Sequence, residues 1–151
     1  MTVTLQAIEA KHAEVAAMIA TYKDQQPTSY RMPEAMIELA RGEDYAGIVL
    51  DDEGNPSHHV ILLPGEIEGA DWEAANAWAE QQGGDLPTRR EQALLYANCK
   101  AKFQPRAYWS VEEHESDSGY AWYQTFGYGL QYGYHESFGL RARAVRRLVI
   151  D

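Results

Sequence analysis

Apolar positions near the start of the chain recur at helical spacing. Leu5, Ile8, His12, Val15, Ile19 and Tyr22 follow one another at intervals of 3-4-3-4-3, the seam of a coiled coil. Thr4 is placed to cap this helix, and Ala7, Ala13, Ala16, Ala17 and Ala20 favour it without adding bulk. At about two and a half heptads the seam is shorter than an isolated helix needs to be stable in water. It must pack on the body of the protein or on the same helix from another copy, so self-association through residues 4–23 is one of two expectations. His12 at a seam position reads as a packed, hydrogen-bonded histidine rather than a ligand.

Residues 24–31 (DQQPTSYR) are a polar break containing Pro27, the best linker candidate. The pattern then predicts a short helix from Pro33 to about Arg41, ended by Gly42 in the left-handed conformation. YAGIVL (45–50) and HHVILL (58–63) are β-rich runs flanking the turn-forming DDEGNPS, and they predict a hairpin. Asp71 opens a helix through WEAANAWAEQQ to Gly83 and Gly84, with Trp72, Ala75, Trp78 and Ala79 on one apolar stripe. Thr88-Arg89-Arg90-Glu91 is a capping box, and its helix places Leu94, Leu95 and Ala97 for burial. From Ala107 the chain turns to β-structure in AYWSVE, GYAWYQTFG and LRARAVRRLVI, with Gly-, Ser- and Asp-rich loops between them.

Composition narrows the function classes. With 151 residues, 45% hydrophobic and 24% charged, the chain reads as a globular protein of one domain, or of a domain with an appended arm. The net charge of −10 argues against direct nucleic-acid binding, which needs a basic surface to release counterions. No apolar run approaches the roughly 18 to 20 residues that span a bilayer, so no membrane partner is expected. The N-terminus lacks the basic start and apolar block of a signal peptide, so the expected location is cytoplasmic or virion-associated. A lone cysteine, Cys99, excludes a disulfide framework within the chain and a multi-thiolate zinc site. The charge is also lopsided: residues 1–80 carry a net −11, and residues 81–151 a net +1.

Several of these blocks, taken in order, resemble a known family. Trp72 and Trp78 on a helix precede GGDLPTRREQ (83–92), then YWSVEE (108–113), YAWYQTFGYG (120–129) and RARAVRR (141–147). This order is similar to the bacterial and phage lectin-like domain of unknown function that also forms the C-terminus of collagen-like adhesins. The similarity covers about residues 45–151. The LPT and YWS blocks are shared more loosely with formylglycine-generating-enzyme-like proteins and with the variable proteins of diversity-generating retroelements. The resemblance implies an α+β, C-type-lectin-like domain: short helices on a twisted, mostly antiparallel sheet, with loops displaying a binding face. It divides the chain into an N-terminal helical arm (1–43) and a lectin-like domain (44–151). Where the family reads Arg-Leu-Pro-Thr, Asp85 stands before Leu86, so any role of that arginine is absent or shifted to Arg89.

Catalytic chemistry finds little support, and no catalytic residue, metal or cofactor is expected. None of the five histidines has the helical spacing of a metal triad, and Ser110 reads as part of a buried strand. The sulfatase-activating enzymes need paired cysteines, which are missing. Glu112, Glu113, Glu115 and Asp117, with Ser116 and Ser118, are oxygen donors that suit calcium. The Glu-Pro-Asn, Gln-Pro-Asp and Trp-Asn-Asp signatures of calcium lectins are absent, and a solvated acidic loop is the simpler reading.

The stretch GYAWYQTFGYGLQYGYHESFG (119–139) carries the recognition chemistry. Tyrosine with glycine and serine gives large, rigid contact surfaces on an adaptable backbone. The candidate ligand-binding residues are Tyr120, Tyr123, Tyr128, Tyr132, Tyr134, His135 and Glu136. The Gly-Tyr alternation from 127 to 134 reads as a loop, and the family similarity would bury Trp122 and Phe126. Arg141, Arg143, Arg146 and Arg147 are expected to stack on tyrosine or pair with the acidic loop. The sequence therefore favours a non-catalytic binding module of phage or prophage type with a protein ligand. The alternative is a small acidic inhibitor of a host nucleic-acid-handling factor, and a formylglycine-generating-type enzyme is the third reading.

Overall fold

A computed structural model describes residues 2–151, and the chain divides into two compact units with the break after Met32. The first unit is a single helix, α1 (Leu5–Gln25). Thr4 caps it, its hydroxyl accepting from the Ala7 N–H at 3.1 Å. No residue of α1 is buried, and the entire 3-4 seam is exposed. Residues 27–32 carry no helix or strand.

The second unit is mixed α and β, with two sheets. Strands β1 (Asp44–Leu50) and β2 (Pro56–Leu62) form the expected antiparallel hairpin, closed by Asp51, whose carboxylate accepts from the Glu53 and Asn55 N–H groups. A later strand, β8 (Val145–Val149), pairs with the other side of β2, giving the order β1-β2-β8. The larger sheet runs β3-β7-β4-β5-β6. Its strands are β3 (Ile67–Ala70), β4 (Ala107–Glu113), β5 (Tyr120–Thr125), β6 (Gln131–His135) and β7 (Leu140–Ala142).

Two helices pack on these sheets. Helix α2 (Trp72–Gln81) starts at Asp71, whose carboxylate accepts from the Ala74 N–H. It buries Ala75 and Ala79, with Trp72 and Trp78 half-buried beside them. Helix α3 (Arg89–Cys99) begins with the complete Thr88–Glu91 capping box. Fully buried Trp109 anchors one core cluster, its indole N–H donating to the Ala70 carbonyl at 2.9 Å. The second cluster packs Val60, Leu62, Leu95, Tyr108, Phe126 and Val145 between the small sheet and α3. Burial of each such side chain contributes about 1.5–3 kcal/mol.

Several expectations are corrected. Residues 33–40 form no helix: they run without regular structure, and every second residue, Pro33, Ala35, Ile37 and Leu39, lines a hollow with Tyr45, Ile48 and His59. Gly42 does take a left-handed conformation, in a turn. On α3, Ala97 is exposed, while Glu91, Gln92 and Cys99 are buried with Leu95. The Gly-Tyr segment is not all loop, since residues 131–135 pair with β5 as strand β6. The closing run divides into β7 and β8, and β3 was not expected.

Candidate functional site

Register on the β5–β6 hairpin decides where the candidate residues lie. Tyr120 pairs with His135, Trp122 with Gly133 and Gln124 with Gln131, so these six share one face. Ala121 pairs with Tyr134 and Tyr123 with Tyr132, which puts those four on the opposite face. The seven candidates are therefore split. Tyr123, Tyr132 and Tyr134 come together on one side, and Tyr120 and His135 on the other. Tyr128 sits in the β5–β6 turn. Glu136 follows β6, with its carbonyl accepting from the Trp72 N–H at 3.0 Å.

The first face is an aromatic cluster. Tyr123 lies 6.2 Å from Tyr132 and 5.8 Å from Tyr134, between ring centroids. Tyr134 stacks on Phe138 at 4.6 Å. Such tilted and offset pairs are favourable geometries for quadrupolar rings. Tyr132 is 51% exposed, Tyr134 38% and Phe138 50%, while Tyr128 at the turn reaches 84%. Burial, with the neighbouring Tyr132 and Tyr134, pushes the Tyr123 hydroxyl above its ordinary pKa, so it is a neutral hydrogen-bonding group at pH 7.

The opposite face is polar and tightly bonded. The Arg89 guanidinium sits 3.5 Å from the centroid of the Trp122 ring, and His114 stacks with the same indole at 4.7 Å. Trp122 is half-exposed rather than buried, and its N–H donates to Glu115, which holds that carboxyl below its usual range. Arg89 Nε donates to Gln131 Oε1; the Gln131 amide donates to Gln124 Oε1 and to the Arg89 carbonyl; Gln124 donates to the Gln92 carbonyl. Beside this ladder opens a groove of about 910 Å³, lined among others by His58, Arg89, Arg90, Glu112 and Leu130. Arg89 and Gln131 were not singled out as site residues. Their signal was the shift of an arginine to the position after LPT and the lone glutamine between two Gly-Tyr dipeptides.

Three carboxylates of the acidic loop have separate partners. Glu112 accepts from the Arg89 N–H, Glu115 from Trp122, and Asp117 lies 3.6 Å from His114. Among the described residues no group of three or more His, Cys, Asp or Glu side chains is placed to hold a metal ion.

The closing arginines do not engage this loop or the tyrosines. Arg141 pairs with Glu66 and Glu68, Arg146 with Glu43, and Arg147 with Asp85 and Glu91. Arg143 donates to the Lys102 and Leu63 carbonyls and sits over Phe103. Arg141 and Arg146 thus pair with acids of the first 80 residues, and Arg147 with acids of the second part. Cys99 is buried, and Ser110 is fully buried in β4.

No family model matches the chain, and no curated protein matches it. Among the described residues no helix is long and apolar enough to cross a membrane.

Proposed function

We propose that this protein is a non-catalytic binding module of C-type-lectin-like type, of phage or prophage kind, whose ligand is a protein met by the aromatic side of the β5–β6 hairpin. The observation that carries this reading is the exposed cluster of Tyr132, Tyr134 and Phe138, with Tyr128 beyond it at the turn. Large apolar rings grouped at a surface mark interaction sites, and tyrosine gives contact area at low entropic cost. The element order of helix, LPT block, YWS strand and aromatic hairpin supports the lectin-like reading.

The test is the triple substitution Tyr128→Ala, Tyr132→Ala and Tyr134→Ala. Capture of protein partners from a host lysate should be lost, while thermal unfolding stays near that of the unchanged protein. A loss of several kcal/mol of stability would mark the rings as core and refute the assignment. Repeating the capture at low and high salt separates this reading from the electrostatic inhibitor, because only contacts made by exposed charges weaken with salt.

A further inference from the structure

A sheet edge is a row of unpaired backbone donors and acceptors, which proteins guard with charge, proline, bulges or shortness. Of the four edges here, three are guarded. β1 begins at Asp44 and is irregular at Tyr45/Gly47 and again at Val49/Leu50. β8 carries Arg146 and Arg147, and Val145 bridges to Asp85. β3 has four residues, an irregular register between Ile67 and Ala70, and Glu68. β6 has none of these devices. Its sequence QYGYH holds no proline and, with histidine neutral, no charge, and it runs in unbroken register from Gln131↔Gln124 to His135↔Tyr120.

Two hydrogen bonds fix the direction of its backbone groups. The Thr125 N–H donates to the Leu130 carbonyl, and the Glu136 N–H donates to the Gly119 carbonyl. Both belong to one alternation of the antiparallel ladder, so the amides and carbonyls of Tyr132 and Tyr134 also turn toward β5. Those of Gln131, Gly133 and His135 turn outward, a set symmetric about Gly133, and of these the His135 carbonyl already accepts from the Phe138 N–H at 3.1 Å.

We infer that β6 pairs antiparallel with β6 of a second copy of this chain, about a two-fold axis at Gly133. In that register Gly133 faces its own counterpart and leaves the axis free of side chains. Gln131 faces the second copy's His135, Gly133 exchanges both main-chain bonds with its counterpart, and the His135 N–H donates to the second copy's Gln131 carbonyl. Tyr132 faces the second copy's Tyr134, an aromatic cross-strand pair of the favourable kind. At a net charge of −10, two copies carry a net mutual repulsion. An uncharged strand lets them meet with no like charges directly opposed. The contact is isologous and closes as a dimer. Edge pairing leaves both sheet faces open, so the two aromatic clusters adjoin across the axis whatever that face binds.

The test mixes full-length Tyr132→Cys protein with full-length Tyr134→Cys protein under mild oxidation. Facing residues at a non-hydrogen-bonded position have Cα atoms about 4.5 Å apart, within disulfide range, whereas each position is farther from its own copy. A disulfide formed in the mixture, and not in either variant alone, is the expected result. No disulfide in the mixture, or equal cross-linking of the single variants, overturns the pairing. Sedimentation gives a second measurement, on the full chain carrying Ile8→Glu and Val15→Glu so that the α1 seam is silenced. This protein should remain dimeric, and adding His135→Pro should make it monomeric, since the lost N–H points away from β5. A monomer before the proline is added overturns the inference.

Discussion

Arg147 grips the carboxylate of Glu91 through both Nε and Nη2, each at 2.7 Å, although the two residues stand on different elements, β8 and α3. Glu91 is fully buried. Its carboxylate also accepts from the Thr88 N–H, and His58 Nε2 lies 2.9 Å away on β2. One buried acid thus joins the helix cap, the small sheet and the closing strand. Removing one partner of a buried ion pair costs about 3–5 kcal/mol, because the other charge is left unpaired. Arg147→Ala should lower stability in urea by about that amount. A cost under about 1 kcal/mol would show that Glu91 is satisfied without it.

Acid should act through the same pair. Burial pushes the Glu91 carboxyl up, but the bonds from Arg147, Thr88 and His58 outweigh it and hold the group below its ordinary value of 4.5. Arg146 likewise holds Glu43 below that value. A depressed folded-state pKa gives stability that is present above the unfolded value and lost as pH falls through the folded one. Urea midpoints should therefore drop progressively below about pH 4.5. A protein with Arg146→Gln and Arg147→Gln should show a shallower drop, and identical slopes would disprove the link.

Gly84 is a packing requirement rather than a conformational one. A Cβ there would stand 2.2 Å from the Val145 carbonyl oxygen and 2.8 Å from the Leu63 side chain. Gly84→Ala should destabilise the fold by about 1–3 kcal/mol. Gly127→Ala is the control, since its nearest neighbour is Pro105 at an ordinary 3.7 Å. Equal denaturation midpoints for the two variants would contradict the stated contact.

Burial raises the Cys99 thiol pKa, with Asp44 adding to the effect. The thiolate is the reactive form, so labelling by a thiol reagent at mild alkaline pH should be slow in the native protein and fast in urea. Rapid native labelling would mean that α3 opens readily at its C-terminal end.

The exposed seam of α1 should contribute to association between copies. Ile8→Glu with Val15→Glu should weaken self-association in sedimentation experiments and leave the unfolding midpoint of residues 33–151 unchanged. An unaltered association constant would remove the seam from any interface.

Local chemistry was the legible part of this chain. Thr4, Asp71 and Thr88 each cap the helix they were expected to open, since a cap needs only a side chain and the next three backbone amides. The hairpin at 45–63 was legible from its turn residues. What escaped depended on partners distant in sequence. Residues 33–40 hold every component of a helix and form none; Pro33, Ala35, Ile37 and Leu39 instead line a hollow with Tyr45, Ile48 and His59, neighbours that the local sequence does not announce. Strand β3 is too short to show a pattern before β7 pairs with it. The tyrosine-rich stretch is visible in composition, but the division of its rings between two faces depends on register, which becomes visible only when Tyr123 is matched to Tyr132. The arginines of 141–147 pair with Glu43, Glu66, Glu68, Asp85 and Glu91 and not with the nearer 112–117 loop, as ion pairing follows the fold and not proximity along the chain.

The pairing of β2 with β8 joins residues more than half the chain length apart. Such a junction sets the pace of folding, because the entropy of closing a long loop is lost before any strand contact repays it. The β1–β2 hairpin can form early, yet Val60 and Leu62 gain their full surroundings only when Val145 arrives beside them. The body of this protein is thus expected to reach its native state late and in one concerted step, with its closing strand as the latch.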